Sequence, residues 1–277
     1  MTIADKNLQK LCNEIMTSNN STEGEKVRPK YADGSPSHTI FVNQVFEKYD
    51  LSKGELPIVT LRQTAWKSGI KEILWIYQDQ TNDLDILKDK YGITWWDEWD
   101  IGDRTIGQRY GATVKRYDLI NKLLDGLKNQ PYGRRHIINL YQEADLAETK
   151  GLHPCAMETQ WTARDGYLDM TLIQRSSDLL VANAINKIQY VALQMMVARH
   201  VGLEPGVFCH YVNNAHIYDR HIDQAKEIMS RKPQENDESV RLVLNPEKTN
   251  FYDFTIDDFT MENYNPVKPN LKVEMAI

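Results

Sequence analysis

Apolar positions recur along this chain with two periods, and the switches between them mark out its elements. Leu8, Leu11 and Ile15 share one face of an N-terminal helix, which leads into a loop over residues 21–36 rich in glycine, proline and charge. Extended runs are expected at residues 39–46 and 57–62, then a helix over residues 64–78. Another helix is expected over residues 115–128, with Ile120, Leu123, Leu124 and Leu127 as its core face. Residues 158–163 alternate loosely, Asp165-Gly166 is a hairpin turn, and residues 167–173 form a second β-rich run. A long helix over residues 185–201 closes at Gly202. A strand at residues 207–212, a helix near residues 218–231 and a short extended tail over residues 270–277 complete the pattern. Only the loop around residues 233–238 looks dispensable, and no linker divides the chain. The expectation is one α+β domain over residues 1–277, with a predominantly antiparallel or mixed β-sheet packed against helices.

Composition narrows the function classes. With 41% hydrophobic and 26% charged residues, the 277-residue chain can build a sizeable core. The net charge of −6 argues against nucleic acid as the main partner, although a local basic pocket for one phosphate remains compatible with it. Cys12, Cys155 and Cys209 are far apart and odd in number, so they form neither a disulfide framework nor a metal-ligand pair. His216 and His221 have the wrong spacing to share a helical face as zinc ligands, and no metal is expected. The opening Met1–Lys6 lacks the regions of a signal peptide, and the most apolar stretch is broken by Gln194 and Arg199. A cytoplasmic protein with reduced thiols and no membrane partner is expected.

The densest chemistry lies around the hairpin. Pro154 fixes the backbone before Cys155, and Gln174-Arg175-Ser176-Ser177-Asp178 follows the second run. Folding the hairpin brings both to the same end of one sheet. A lone cysteine is usually a small buried hydrophobe, but a sheet end with Gln, Arg, Ser and Asp together is poor core material. A guanidinium beside a thiol favours the thiolate, so Cys155 is read as a nucleophile.

Other candidates stand beside plainer alternatives. Arg134 and Arg135 form either a solvated turn or, with Arg28 and Arg175, a site for a dianion. Glu72 falls on a second apolar line of its helix, with Ala65, Gly69 and Ile76, where a carboxylate either pairs with a cation or has a raised pKa and moves protons. Trp95, Trp96 and Trp99 could stack a flat ligand or simply fill the core. Tyr110 could serve a polar site or be a half-buried phenol. Asn186 offers a donor and an acceptor, yet could merely cap its helix. His216 and Tyr218 read as polar groups just after a strand.

Taken together, these segments resemble the thymidylate synthase family nearly end to end. The resemblance rests on the Arg28 loop, Glu72-Ile73-Leu74-Trp75, Trp96-Asp97-Glu98-Trp99, Tyr110-Gly111, Arg134-Arg135-His136, Pro154-Cys155 and Gln174-Arg175-Ser176-x-Asp178. Asn186, His216-Ile217-Tyr218, Asn263-Tyr264-x-Pro266 and the terminal Ala276-Ile277 extend it. It implies reductive methylation of dUMP to dTMP, with 5,10-methylenetetrahydrofolate as co-substrate supplying carbon and hydride. It implies a homodimer in which Arg134 and Arg135 reach the partner's phosphate site, completed by Arg28, Arg175 and Ser176. By the same resemblance Cys155 attacks the pyrimidine ring, Glu72 organises water for proton movements, and Tyr110 assists near the departing proton. Gln174 belongs to the nucleotide motif, Asp178 holds the pterin, and Trp96, Trp99, Ala182, Ala276 and the Ile277 carboxylate enclose the folate. His216 and Tyr218 bind the deoxyribose. Asn186 faces the uracil edge, and cytosine there leaves buried groups unpaired at about 1–3 kcal/mol each.

Three positions depart from the family pattern: Val181-Ala182-Asn183-Ala184-Ile185 before Asn186, Asn213-Asn214 before His216, and Ala156 after the nucleophile. A deoxypyrimidine nucleotide hydroxymethylase shares the first half of the chemistry and is the alternative. A binding protein that has kept the scaffold without turnover is a more distant one.

Overall fold

A computed structural model describes residues 1–233 and 239–276. The first helix, α1 (Ile3–Met16), is started by a reciprocal cap: the Thr2 hydroxyl accepts the Asp5 N–H at 3.0 Å, and the Asp5 carboxylate accepts the Thr2 N–H at 3.2 Å. Leu8, Leu11 and Ile15 face the core as expected. The buried Asp5 also accepts the Thr60 N–H and hydroxyl, both at 2.7 Å, and the Leu61 N–H at 3.3 Å. This corrects the extended run at residues 57–62. Its apolar side chains are buried, but its amides go to a carboxylate rather than a neighbouring strand, so it runs as coil.

Next come β1 (Thr39–Asp50), α2 (Trp66–Tyr77) and α3 (Leu84–Tyr91). Helix α3 was not anticipated; Asp83 caps it by accepting the Asp85 and Ile86 N–H groups, and Gly92 ends it in left-handed geometry. The single helix expected at residues 115–128 is two: α4 (Gly111–Arg116) and α5 (Leu119–Asn129). They break at Tyr117-Asp118 because Thr113, Arg116 and Tyr117 all hydrogen-bond to the buried Asp145 and pin α4 away from the axis of α5. The core face of Ile120, Leu123, Leu124 and Leu127 survives intact on α5.

The remaining elements are β2 (Ile137–Asn139), α6 (Glu143–Glu148), β3 (Ala156–Arg164), β4 (Tyr167–Gln174), β5 (Ser177–Asp178), α7 (Asn183–Val201), β6 (Glu204–Tyr218), α8 (Ile222–Ser230), β7 (Arg241–Leu244) and β8 (Phe259–Glu262). The main sheet runs β1-β6-β4-β3-β2 with β5 beside β6, and β7 and β8 pair separately. Strands β1/β6, β4/β3 and β3/β2 are antiparallel, whereas β4 and β5 run parallel to β6. The sheet is therefore mixed, as expected.

A parallel pair needs a crossover, and α7 provides it between β4 and β6. Helix α2 packs on α7 at Gly69, where a Cβ would lie 3.0 Å from both Gln189 and Ile185. That close approach brings Glu72, one turn along α2, against α7. Strand β6 extends well past the expected end at residue 212, so His216 and Tyr218 stand on the strand rather than after it. The tail over residues 270–276 is irregular and is tied down by His221 Nε2, 2.7 Å from the Glu274 carbonyl. Of the loop around residues 233–238, residues 234–238 lie outside the described residues, as does Ile277.

Replacing Asp5 removes the acceptor for three backbone N–H groups and one hydroxyl in a dry setting. Asp5→Ala is expected to lower unfolding free energy by about 3 kcal/mol, read from the urea midpoint at unchanged slope. A loss below about 1 kcal/mol would mean that water replaces the carboxylate and that the coil does not depend on it.

Candidate active site

One end of the main sheet opens into a cavity of about 400 Å³. The hairpin builds its floor. Asp165 and Gly166 turn it with φ of +45° and +82°, a pair suited to a two-residue connection, and Ala156 pairs with Gln174 at the far end. The Arg175 N–H then donates to the Cys155 carbonyl at 3.0 Å. Cys155 and the Gln-Arg-Ser segment thus meet, as the hairpin reading required. The Arg175 Nη2 lies 3.4 Å from the Cys155 Sγ and also donates to the His153 carbonyl at 2.9 Å, while Nε donates to the Pro154 carbonyl at 3.1 Å. On the other side, the Tyr110 hydroxyl accepts the Cys155 N–H at 3.1 Å. Tyr110 is held at φ +47° because the following Gly111 lies against the Thr81 backbone, where any Cβ would collide.

The guanidinium contact is present, but it does not win the electrostatic balance. Burial pushes the Cys155 thiol above its ordinary value, and Arg175 and Arg28 pull against that shift without reversing it. The expectation of an acidified thiol is corrected: desolvation holds the Cys155 thiol above its ordinary pKa despite both cations.

Among the described residues Glu72 has no cationic partner within salt-bridge distance. Its Oε2 accepts the indole N–H groups of Trp95 at 2.5 Å and Trp96 at 2.9 Å, and its Oε1 accepts the Gln189 amide at 3.0 Å. Burial raises its pKa, with those three donors opposing. Of the two readings of this carboxylate, proton handling fits the surroundings and ion pairing does not. Trp96 therefore serves two ends, bonding Glu72 while its ring meets Tyr110 and Trp99 edge-on, each at 5.3 Å.

Asn186 is not a helix cap. Helix α7 begins three residues earlier, and Asn186 lies within its first turns facing the cavity. Its Oδ1 accepts from Gln174 Nε2 at 3.1 Å and its Nδ2 donates to Gln189 Oε1 at 2.8 Å. Gln174 is completely buried behind it and does not line the cavity. The amide is thus held from both sides, leaving one lone pair and one N–H for a ligand.

Arg28, Ser176, Asp178, Ala182, His216, Tyr218, Trp99 and Ala276 join the same cavity wall. Asp178 accepts the Leu180 and Val181 N–H groups at 2.9 and 3.2 Å, which shapes the turn into α7. His216 Nδ1 lies 3.0 Å from Asn214 Oδ1, so one of the departures from the family pattern orients the histidine, and the Tyr218 ring meets it edge-on at 5.1 Å. Val181 and Ile185, from the first departure, form an apolar wall, and Ala156 packs beside the nucleophile. Arg134 and Arg135 are exposed on the loop before β2 and do not line this cavity. Gln189 was missed in the sequence, and Trp95 was read as a stacking or core ring rather than as a donor to Glu72. Gln189 sits one turn from Asn186 in an otherwise apolar run, which was the available signal; Trp95 was visible only as one of three indoles. Among the described residues no helix is long and apolar enough to cross a membrane, and no group of three or more His, Cys, Asp or Glu is placed to hold a metal.

Over its length the chain is similar to known proteins of one family. A family model described as Thymidylate synthase matches residues 6–277. A thymidylate synthase of Lactococcus lactis subsp. lactis is 53% identical, with all of both chains covered. One from Streptococcus pneumoniae is 50% identical over all of this chain and 98% of its own. The solved structure of the thermostable thymidylate synthase A from Bacillus subtilis superposes with a TM-score of 0.91 at 37% identity, covering 99% of each chain.

The balance at the thiol has a measurable consequence. Alkylation of Cys155 by iodoacetamide, followed by peptide mass spectrometry, is expected to have a pH midpoint above the ordinary thiol value of about 8.5. Arg175→Ala should move that midpoint further up, since it removes a cation that favours the thiolate. A parent midpoint below the ordinary value would overturn the burial argument.

Proposed function

The chain belongs to the thymidylate synthase family, and on that premise we propose how its own residues divide the reductive methylation of dUMP to dTMP. In this reaction 5,10-methylenetetrahydrofolate is the co-substrate; it supplies the one-carbon unit and the hydride and leaves as dihydrofolate. The reading takes residues 1–277 as a single catalytic domain. One observation carries it: a thiol in contact with a guanidinium shares a cavity with a carboxamide whose two outward groups complement uracil.

Cys155 is the nucleophile. Its thiolate adds to the ring carbon next to the one that is methylated, and the ring then carries an enolate whose neighbouring carbon can form a bond to carbon. The thiol's resting proton must leave for this to occur, and Arg175 at 3.4 Å stabilises the anion as it forms. Asn186 accepts the ring N–H at Oδ1 and donates to the adjacent carbonyl through Nδ2. Glu72, with its raised pKa, exchanges protons with that end of the base through water. Tyr110, whose hydroxyl accepts the nucleophile's backbone N–H, is assigned to assist when the methylated carbon loses its proton.

Arg28, Arg175 and Ser176 take the phosphate, and His216 and Tyr218 take the sugar hydroxyl. Trp99, Val181, Ile185 and Ala276 offer apolar surface, with Asp178 at its edge and a buried Trp99 indole N–H that has no hydrogen-bond partner among the described residues. This combination suits a flat heterocycle with polar edges such as the folate pterin; Trp96 backs it, Ala182 borders it, and Ile277 is assigned to its closure.

The phosphate site is completed in a homodimer. Arg134 and Arg135 are exposed, outside their own cavity, and able to reach a second subunit. Exposed Phe46 on β1 and Ile137 on β2 support burial of a sheet face against a second copy. Three free cysteines favour a cytoplasmic setting. The hydroxymethylase alternative gains nothing from the relatives, and the direction of the Asn186 amide weighs against a cytosine substrate.

Mixing the protein with dUMP and methylenetetrahydrofolate is expected to generate dihydrofolate, followed by absorbance. Cys155→Ala should lower the rate by at least about 10³-fold, the scale on which loss of a nucleophile acts; comparable rates would refute the mechanism. The shared site has its own test. A Cys155→Ala chain and an Arg134→Ala/Arg135→Ala chain, each nearly inactive, should regain about a quarter of parental activity when re-assembled together, because each mixed dimer then contains one intact site. No recovery would place the arginines in the wrong subunit.

A further inference from the structure

The hydrogen bonds that hold Asn186 do not stop at Gln174. His210, fully buried on β6, has Nε2 2.5 Å from Gln174 Oε1. Its Nδ1 lies 3.5 Å from Glu47 Oε2 on β1, and that carboxylate is paired with Lys187 Nζ at 2.9 Å. The Tyr49 hydroxyl donates to Glu47 Oε1 at 3.1 Å. Lys187 follows Asn186 directly in sequence but faces the core, so one turn of α7 holds both ends of the arrangement. The result is a continuous line from Lys187 and Glu47 through His210, Gln174, Asn186 and Gln189 to Glu72.

Three carboxamides in a row have only two self-consistent arrangements. In the one present, every amide nitrogen points towards Glu72 and every oxygen towards His210. Turning one amide alone sets oxygen against oxygen on one side and N–H against N–H on the other, so they turn together or not at all. The ends decide. An ionised Glu72 favours the direction present by accepting the Gln189 N–H, but its carboxylic acid form can donate as well as accept, so a residue that exchanges protons holds the direction only part of the time. At the other end, a hydrogen on His210 Nε2 permits only the arrangement present, and its absence permits only the reverse.

We propose that His210 is a positioning residue that determines base specificity by setting the direction of this amide line. The inference rests on the reading of Asn186 as the group that meets the base. In the direction present, Asn186 offers an acceptor to a ring N–H and a donor to a carbonyl, the edge of uracil. In the reverse direction it offers the edge that complements cytosine, where an amino group adjoins a bare ring nitrogen. Nε2 stands 2.5 Å from Gln174 Oε1, whereas Nδ1 is 3.5 Å from a Glu47 oxygen that Lys187 already engages at 2.9 Å, so the shorter contact takes the ring hydrogen. Burial keeps His210 from gaining a second ring proton, which makes the choice of nitrogen exclusive.

The test compares binding of dUMP and dCMP to the intact enzyme by calorimetry. His210→Phe keeps an aromatic ring in the slot beside Phe208, now 6.3 Å away and nearly parallel, but removes the N–H. The dUMP-over-dCMP affinity ratio is expected to fall at least about tenfold, with dCMP binding more tightly than to the parent. General loosening would weaken both nucleotides together and leave the ratio alone; that result, or an unchanged ratio, overturns the proposal. Should His210→Phe not fold, His210→Leu removes the same N–H with a smaller apolar side chain, and the ratio is expected to fall at least about threefold; no fall overturns the proposal. Asn186→Ala separates the two readings. If it levels the affinities while His210→Phe leaves them apart, the role of His210 is wrong and the base reading stands. If Asn186→Ala keeps the full preference for dUMP, the base reading itself fails.

Discussion

Everything at this site depends on the register of one hairpin. Pairing Ala156 with Gln174, sealed by the Arg175 N–H on the Cys155 carbonyl, sets the thiol and the guanidinium at one sheet end. A slip of one residue would turn every side chain of β3 and β4 to the opposite face, moving Gln174 out of the core and breaking its contact with Asn186. The register is well defended, because Leu168, Met170, Leu172 and Gln174 are all buried on one face of β4. Core packing and active-site geometry are thus the same constraint seen from two sides.

Much of this was legible in the chain. The hairpin, the long helix closed at Gly202 and the apolar face of Leu8, Leu11 and Ile15 follow from local periodicity and turn chemistry, which short-range physics decides. So does the oddity of Glu72 among small and apolar neighbours. The misses share another cause. Residues 57–62 look like a strand because they are apolar, but their amides find Asp5, more than fifty residues away. The helix at residues 115–128 breaks because Asp145 gathers three side chains from one end of it. Gln189 and His210 could not be assigned roles without knowing that α2, α7 and β6 converge. Long-range polar partners, rather than hydrophobic pattern, were what the sequence left hidden.

The electrostatics also separate resting chemistry from reactive chemistry. A thiol beside an arginine invites the conclusion that it is ionised, yet desolvation outweighs the nearby cations here. Glu72 follows the same logic, since burial favours its neutral form as well and suits it to give and take protons. Glu72 owes its tuning to the close α2–α7 contact at Gly69 and to the two indoles that cover it, whereas Cys155 owes its own to its place in the cavity.

The crossover through α7 has a consequence for how the molecule is made. Parallel strands β4 and β6 cannot meet until the intervening helix has docked, and β6 must also collect β1 from the far end of the chain. Such distant pairings are slow to nucleate, because the chain entropy of closing large loops is lost before the contacts form. The hairpin itself is local and forms early. For that interval during maturation, the sulfur of Cys155 stands in water at ordinary acidity, without the wall that later quiets it. Nascent chains are therefore the population in which this sulfur is most open to oxidative damage.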